Sequence, residues 1–175
     1  YSALGYSGTN SGGRLLIQNS EFDNNKTGFS TNSQNNDDAP SPQDGHCPGS
    51  TTTSCFVIAY NHVHDNNNPN VPASGSANLA PVGTGIVISG GRHDRVIGNR
   101  IEHQGAWGIL FAPFIDMASP PLDQLSKCEG GLVTASGDTC YYDDWGNEGG
   151  ANRFRDVGSF GNPSNGDLAD FSGAH

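Results

Sequence analysis

Long apolar segments, helical hydrophobic patterns and clustered positive charge are all missing from this sequence of 175 residues. No apolar run approaches the ~18 residues of a membrane-spanning helix, and apolar residues do not recur at helical spacing over the length of an ordinary α-helix. The 8 Lys and Arg are scattered and outnumbered by 18 Asp and Glu, which gives a formal net charge of −10. These absences argue against a helical fold, a membrane span, and binding to nucleic acid or to an anionic membrane.

Hydrophobic residues are also few, at 33% of the chain, whereas Gly (25), Asn (18) and Pro (10) are abundant. A polar, acidic composition is typical of disordered chains. Here, however, the Val, Ile and Phe residues fall in short clusters bounded by Gly and Asn, such as residues 55–58 and 85–88. Clusters of this kind predict short β-strands, and we therefore expect an all-β fold.

A repeat is evident from four dipeptides in which Gly precedes an apolar residue: Gly5-Tyr6, Gly28-Phe29, Gly85-Ile86 and Gly108-Ile109. The first two glycines are 23 residues apart, and so are the last two. The longer middle interval contains the loop-like stretches 35–54 and 67–83, which we interpret as insertions, and a third insertion is predicted at 112–146.

Two further phases of the repeat support three short strands per coil, as a three-sided solenoid requires. One phase is an Asn-x-apolar motif at Asn61-His62-Val63, Asn99-Arg100-Ile101 and Asn152-Arg153-Phe154, with Ser20-Glu21-Phe22 in the equivalent place. The other comprises Leu16-Ile17, Val57-Ile58 and Val96-Ile97. The inward side chains should stack as Ile17 with Ile58, as Phe22 with Val63, Ile101 and Phe154, and as Tyr6 with Phe29, Ile86 and Ile109. Asn suits turns between sheets, and we expect the stacked amides to form ladders.

With these motifs, most clearly in residues 96–101 and at Gly108-Ile109, the chain resembles right-handed parallel β-helix repeat proteins of the pectate-lyase-like superfamily, including NosD-like repeat proteins. The resemblance covers roughly residues 5–29, 56–66, 83–111 and 152–171. It implies a single right-handed parallel β-helix over residues 1–175, with about four partial coils. Such motifs specify a fold better than a function.

Four cysteines lie in two local pairs, Cys47 with Cys55 and Cys128 with Cys140. We expect each pair to form a disulfide that pins an insertion, and disulfides imply a secreted, extracellular protein. The alternative is a zinc site that uses His46, although no Cys-x-x-Cys spacing supports it.

Residues that flank the inward apolar side chain of the Asn-x-apolar strand should point outward and form two columns. The first column contains Glu21, His62, Arg100 and Arg153. The second contains Asp23, His64, Glu102 and Arg155. Neighbouring strands lie ~4.8 Å apart, so these charges should interact on one outer sheet face.

The resemblance implies that this face binds an extracellular polysaccharide, since related proteins bind acidic sugars there and some cleave them by β-elimination. Arg100 or Arg153 would hold the sugar carboxylate, His62 or His64 would act as the base, and Asp23 with Glu102 would hold Ca²⁺. An enzyme of this kind would be a polysaccharide lyase or hydrolase. The alternative interpretation is a solvated ladder of cross-strand charges without catalysis.

Further candidates lie outside the columns. Asp37 and Asp38, like Asp143 and Asp144, are paired loop acids that could bind Ca²⁺ or simply form solvated turns. Trp107 and the insertion residues Tyr141, Tyr142 and Trp145 are candidate platforms for sugar rings, with packing over the solenoid flank as the alternative.

A different class of function is a structural one. The first strand predicted, at Gly5-Tyr6, has no earlier phase of the repeat before it, and so we expect a fragment of a longer solenoid or a subunit that stacks head to tail. Stacked copies would form an extracellular filament without catalysis.

Overall fold

The computed structural model describes residues 1–8, 15–32, 56–72, 74–116, 132–133 and 140–171. This part of the chain is all-β, as expected, and its only helical element is a 3-10 helix, η1 (Ser76–Leu79). Within the same residues, no helix has the length and apolar character needed to cross a membrane.

Three parallel sheets contain most of the strands. Sheet A comprises β1 (Leu4–Gly8), β4 (Thr27–Asn32), β7 (Thr84–Ser89), β10 (Trp107–Ala112) and β15 (Gly166–Asp170). Sheet B comprises β2 (Leu15–Gln18), β5 (Phe56–Ala59) and β8 (Arg95–Ile97). Sheet C comprises β3 (Glu21–Asp23), β6 (His62–His64), β9 (Arg100–Glu102) and β14 (Arg153–Arg155). From β1 to β10 the chain visits sheets A, B and C in rotation, so each strand from β1 to β7 pairs with the strand three places later.

The predicted insertions are only partly described. Residues 35–54 lie outside the described residues, and 67–83 contain η1. Within 112–146, the strands β11 (Phe114–Asp116), β12 (Leu132–Val133) and β13 (Cys140–Tyr142) form an antiparallel sheet in the order β11-β13-β12. Cys47, Cys55 and Cys128 lie outside the described residues, as does the side chain of Cys140, so the disulfides stay predictions.

The predicted inward columns are confirmed by the strand registers. Tyr6 pairs with Phe29, Phe29 with Ile86, and Ile86 with Ile109 in sheet A. Sheets B and C repeat the arrangement with Ile17 opposite Ile58 and with Phe22, Val63, Ile101 and Phe154 in one column. Most of these residues form one buried cluster, and the partly buried Tyr6, Ile17, Phe22 and Phe154 pack against it. Because the inward side chains of each strand pack against those of the neighbouring strand, few hydrophobic residues suffice for the core.

One predicted alignment was wrong by a residue. The dipeptides Val57-Ile58 and Val96-Ile97 were expected to align, but Ile58 pairs with Val96, and Ile97 pairs with Ala59. Val96 is buried, whereas Ile97 is half-buried. When two consecutive residues are both apolar, the sequence does not indicate which of them points inward. A shift of one residue in register therefore exchanges the inner and outer faces of the strand.

An asparagine ladder fills the corner between sheets B and C, as predicted from the repeated Asn. Asn61 donates its amide to Asn99 Oδ1 at 3.0 Å, and Asn99 donates in the same way to Asn152 Oδ1 at 3.0 Å. The same side chains reach back to strand carbonyls: Asn99 Nδ2 lies 2.9 Å from the oxygen of Ile58. The ladder therefore satisfies backbone groups that a sharp corner would otherwise leave without partners.

Each strand of sheet C lies between two residues with positive φ, five positions apart. The pairs are Asn19 and Asn24, Tyr60 and Asp65, Gly98 and His103, and Ala151 and Asp156. Left-handed backbone favours Gly, Asn and Asp, yet Tyr60 and Ala151 carry no such signal. The repeated corners fix the length of the sheet C strands at three residues, one pointing inward and two outward.

The Gly-apolar dipeptides have a steric explanation. A Cβ added at Gly28 would lie 2.5 Å from the backbone oxygen of Gly85, and one added at Gly85 would lie 2.6 Å from that of Gly108. The second position of these sheet A strands therefore requires glycine because the neighbouring backbone is too close for any side chain.

Candidate functional site

The outer face of sheet C contains both predicted columns in register. Glu21 pairs with His62, His62 with Arg100, and Arg100 with Arg153. In the second column, the order is Asp23, His64, Glu102 and Arg155. The three-residue strands hold both columns at fixed spacing, because each strand is closed by a left-handed turn at both ends. The roles predicted for these residues, catalytic or binding, stay predictions.

Glu102 is the electrostatic centre of this face. Its Oε1 accepts from Arg100 Nε at 2.9 Å and lies 3.2 Å from Arg155 Nε, while its Oε2 lies 3.1 Å from His62 Nε2. Hydrogen bonding from Arg100, together with His62 and the nearby charge of Arg155, outweighs the effect of burial and lowers the pKa of Glu102 to about 2. Glu102 therefore remains ionised and orients three neighbouring cationic or imidazole groups.

The two histidines of β6 form a compact group with carboxylates on either side. Their rings stack with centroids 4.1 Å apart. His64 Nδ1 lies 2.7 Å from Asp65 Oδ2, and His64 Nε2 lies 2.9 Å from Glu21 Oε1. Burial opposes protonation of His64, but hydrogen bonds to Asp65 and Glu21 outweigh burial and raise its pKa, while the bond from His64 lowers the pKa of Asp65.

Arginines concentrate at the β9 and β14 end of the face. Arg100 and Arg153 are directly opposite each other. Arg100 and Arg155 both contact Glu102, but the structure gives the exposed Arg153 guanidinium no acidic partner among the described residues. Arg155 also lies 3.1 Å from His103 Nε2. Like charges in facing positions of a sheet repel, so this end of the face favours an anion.

The aromatic candidates do not join this face. Trp107 belongs to sheet A and donates its ring N–H to the oxygen of Ser164 at 2.7 Å. Trp145 lies beside His93, with ring centroids 4.5 Å apart, and Tyr141 lies on β13.

Tyr142 is corrected as a sugar-binding candidate. Its side chain is 0% exposed and packs beside Phe114, with ring centroids 6.2 Å apart, so no ligand can stack on it. Tyr142 is buried because β13 pairs with β11 in an antiparallel sheet, which places Tyr142 opposite Phe114.

The candidate Ca²⁺ ligands are also separated. Asp23 and Glu102 belong to one column, but the strand that bears His64 lies between them. Asp37 and Asp38 lie outside the described residues. Among the residues that the structure describes, the group of three potential ligands close enough to share a metal ion is Glu21, His62 and His64. Sequence reasoning placed these three in two columns but did not group them as ligands.

A second acidic region, Asp143 with Asp144, was predicted either to bind Ca²⁺ or to form a solvated turn. Asp143 and Asp144 are buried, at 8% and 1% exposed, and Asp143 forms an ion pair with Arg92. Burial, then the charges of Asp94 and Asp170, raise the pKa of Asp144 to about 9. Its sequence neighbours gave no signal of this burial, because strand β13 and the turn after it lie in a predicted insertion.

Comparisons with protein-family models, with curated proteins and with solved structures gave no match to this chain.

Proposed function

We propose that this chain is a secreted right-handed parallel β-helix that binds acidic extracellular polysaccharide along the outer face of sheet C. The rotation of the chain through three parallel sheets, with stacked inward columns and an asparagine ladder at one corner, supports a solenoid of successive coils. A solenoid suits this function because it displays a flat outer sheet along which an extended polymer can lie.

The observation that carries the proposal is the facing pair of Arg100 and Arg153. The chain has a net charge of −10 and only 8 Lys and Arg, yet Arg100, Arg153 and Arg155 occupy two adjacent strands of one face. Guanidinium groups bind carboxylates through two parallel hydrogen bonds. A uronate carboxylate placed between Arg100 and Arg153 would relieve their repulsion and supply the anion that Arg153 lacks among the described residues.

The chemistry available beside this pair is proton abstraction. His62 lies opposite Arg100 in register, and β-elimination requires a base near the carbon next to a neutralised carboxylate. If the face is catalytic, His62 is therefore the base that we favour, and the reaction is that of a polysaccharide lyase.

Glycan binding tests the proposal directly. The full chain would be applied to an array of acidic and neutral glycans, and each acidic ligand would then be assayed for an unsaturated product by ultraviolet absorbance. We expect binding that is selective for acidic glycans and that weakens at least about 10-fold in Arg153→Ala, which corresponds to the loss of one charge-assisted contact.

Arg95→Ala is the matched control. Arg95 is also a partly exposed strand arginine, but it lies on sheet B and pairs with Glu148 at 2.7 Å. Its removal should leave glycan binding unchanged. Absence of binding to every acidic glycan, or equal binding by the Arg100→Ala, Arg153→Ala double variant, would reject the proposal.

A structural function is the second candidate, and it depends on the sheet edges. β1, β2 and β3 each occupy the last position of their sheet at the same end of the three sheets. Such edges present backbone donors and acceptors that further coils or another copy could pair with. Electron microscopy would show fibres if copies stack, whereas particles of one size at all concentrations would exclude the filament.

A further inference from the structure

Glu21, His62 and His64 converge on one small volume at the β3 and β6 end of sheet C. His62 and His64 are alternate residues of one strand, so both imidazoles project from the same face. Glu21 Oε1 lies 3.5 Å from His62 Nδ1 and 2.9 Å from His64 Nε2. A tetrahedral zinc ion with bonds of ~2.0–2.1 Å needs ligand atoms about 3.3 Å apart, which falls between these two distances.

The opposite nitrogen of each imidazole is held by a second carboxylate. His62 Nε2 lies 3.1 Å from Glu102 Oε2, and His64 Nδ1 lies 2.7 Å from Asp65 Oδ2. Glu102 and Asp65 accept hydrogen bonds, so each outer nitrogen keeps its proton when the inner nitrogen, which faces Glu21, gives up its own proton to bind a metal. Histidine ligands of metal ions usually have this outer carboxylate, which fixes the ring and makes the inner nitrogen more basic.

We propose that Glu21, His62 and His64 bind a divalent transition metal of the Zn²⁺ class, with Asp65 and Glu102 as the residues that orient the two imidazoles. Two imidazoles and one carboxylate favour Zn²⁺, Cu²⁺ or Co²⁺ over Ca²⁺ and Mg²⁺, which prefer oxygen ligands. Binding displaces any proton from His62 Nδ1 and His64 Nε2 to solvent. Glu21 is exposed, so the fourth position of the metal is open to water or to a ligand on the sheet face.

Metal titration of the full chain, freed of metal by a chelator, tests this site. Zn²⁺ affinity would be measured at neutral pH by competition with a chromophoric chelator, and Co²⁺ would report the coordination through its visible absorption. We expect one Zn²⁺ site that involves histidine. His62→Ala, His64→Ala and Glu21→Gln should each weaken Zn²⁺ binding by more than about 100-fold, and Asp65→Asn by about 10–100-fold, as for other outer carboxylates.

His93→Ala is the matched control, because His93 packs against Trp145 and lies outside the group. It should keep the Zn²⁺ affinity of the parent chain. Urea unfolding of each variant without metal separates a lost ligand from a lost fold, and Glu21→Gln, at an exposed position, is the variant least expected to disturb folding.

Three results would overturn the site: no binding of Zn²⁺, unchanged Zn²⁺ affinity in His64→Ala, or binding of Ca²⁺ in preference to Zn²⁺. His62 cannot act as a base while it holds a metal, but metal binding at the histidines and glycan binding at the arginines can be told apart. Arg153→Ala should lose glycan affinity and retain Zn²⁺ affinity, whereas His64→Ala should lose Zn²⁺ affinity whether or not the chain binds glycans.

Discussion

The asparagine ladder and the outer face of sheet C are built from adjacent residues of the same motif, yet their environments are opposite. Asn99 is fully buried and bonded on all sides, whereas Arg100, the next residue, is largely exposed. Ile101, the third residue, lies in the core. In each Asn-x-apolar motif the first position therefore builds the corner, the third builds the core, and the middle position is left free to interact with a ligand. Substitutions at the three positions of the motif should show this division as a graded series of effects on stability.

The largest expected effect is at the apolar position. Ile101→Ala would remove a side chain that is 0% exposed and contacts the central cluster. We expect the free energy of unfolding to fall by about 2–5 kcal/mol, as for other large buried residues replaced by Ala. Urea denaturation followed by circular dichroism would measure it. Leu79→Ala is the control, because Leu79 is 80% exposed, and an equal loss in both variants would contradict the assignment of the core.

The asparagine position should come second. Asn99→Ala would leave the backbone N–H of Asn61 and the carbonyl of Ile58 without their partners at 3.0 Å and 2.9 Å. Buried groups that lose a hydrogen-bond partner typically reduce stability by about 1–3 kcal/mol. The same unfolding experiment on Asn70→Ala, an exposed asparagine, should show almost no change. If the two variants are equally stable, the ladder does not stabilise the corner.

Most of the assignment of motif positions to corner, core and outer face could be predicted from sequence, because side chains alternate regularly along a strand. Gly85-Ile86 and Gly108-Ile109 established the spacing, and once His62 and Arg100 were aligned, the other members of both columns followed. Two features carried no such signal. Val96-Ile97 offered two apolar residues for one inward position, and Tyr60 adopts positive φ against its preference.

The candidate site was less predictable than the fold, for a different reason. The columns gave positions along the sheet, but the partners that tune the site come from the turns that close its strands. Asp65, which orients His64, follows β6, and His103, which contacts Arg155, follows β9. Both adopt left-handed backbone. Which way a turn residue directs its side chain depends on the corner geometry, and the strand pattern does not encode it.

Asp144 contrasts with Asn99, because it is a buried polar residue whose hydrogen bonding is incomplete. Asn99 has partners for its amide, whereas Asp144 Oδ2 is buried without a hydrogen-bond partner among the described residues. Its folded pKa of about 9 lies far above the ordinary value of 3.8, so the folded state retains a proton that the unfolded chain releases. Stability should therefore fall as the pH rises between these two values.

Asp144→Asn should remove most of that pH dependence, since the amide resembles the protonated acid. We expect the variant to be more stable than the parent chain in neutral and mildly alkaline buffer, by about 1 kcal/mol or more, and closest to it below the ordinary carboxyl pKa. Thermal unfolding over a pH series would measure the difference. A parent chain whose stability stays flat or increases through this range would show that Asp144 is ionised in the folded protein.

The smallest effect on stability is expected at Arg153, the middle position of the last motif. Its side chain faces Arg100, and removing one of two like charges should change the free energy of unfolding by no more than about 0.5 kcal/mol, in the stabilising direction at low salt. Arg155→Ala provides the contrast, because it removes a contact with Glu102 at 3.2 Å and should be the more destabilising of the two. When stability and glycan affinity are both measured, Arg153→Ala should keep the stability of the parent chain and lose affinity for acidic glycans. This result is expected of a residue that binds a ligand and does not support the fold. A clear loss of stability in Arg153→Ala would instead mean that this arginine supports the fold, and the division of the motif into structural and functional positions would fail at β14.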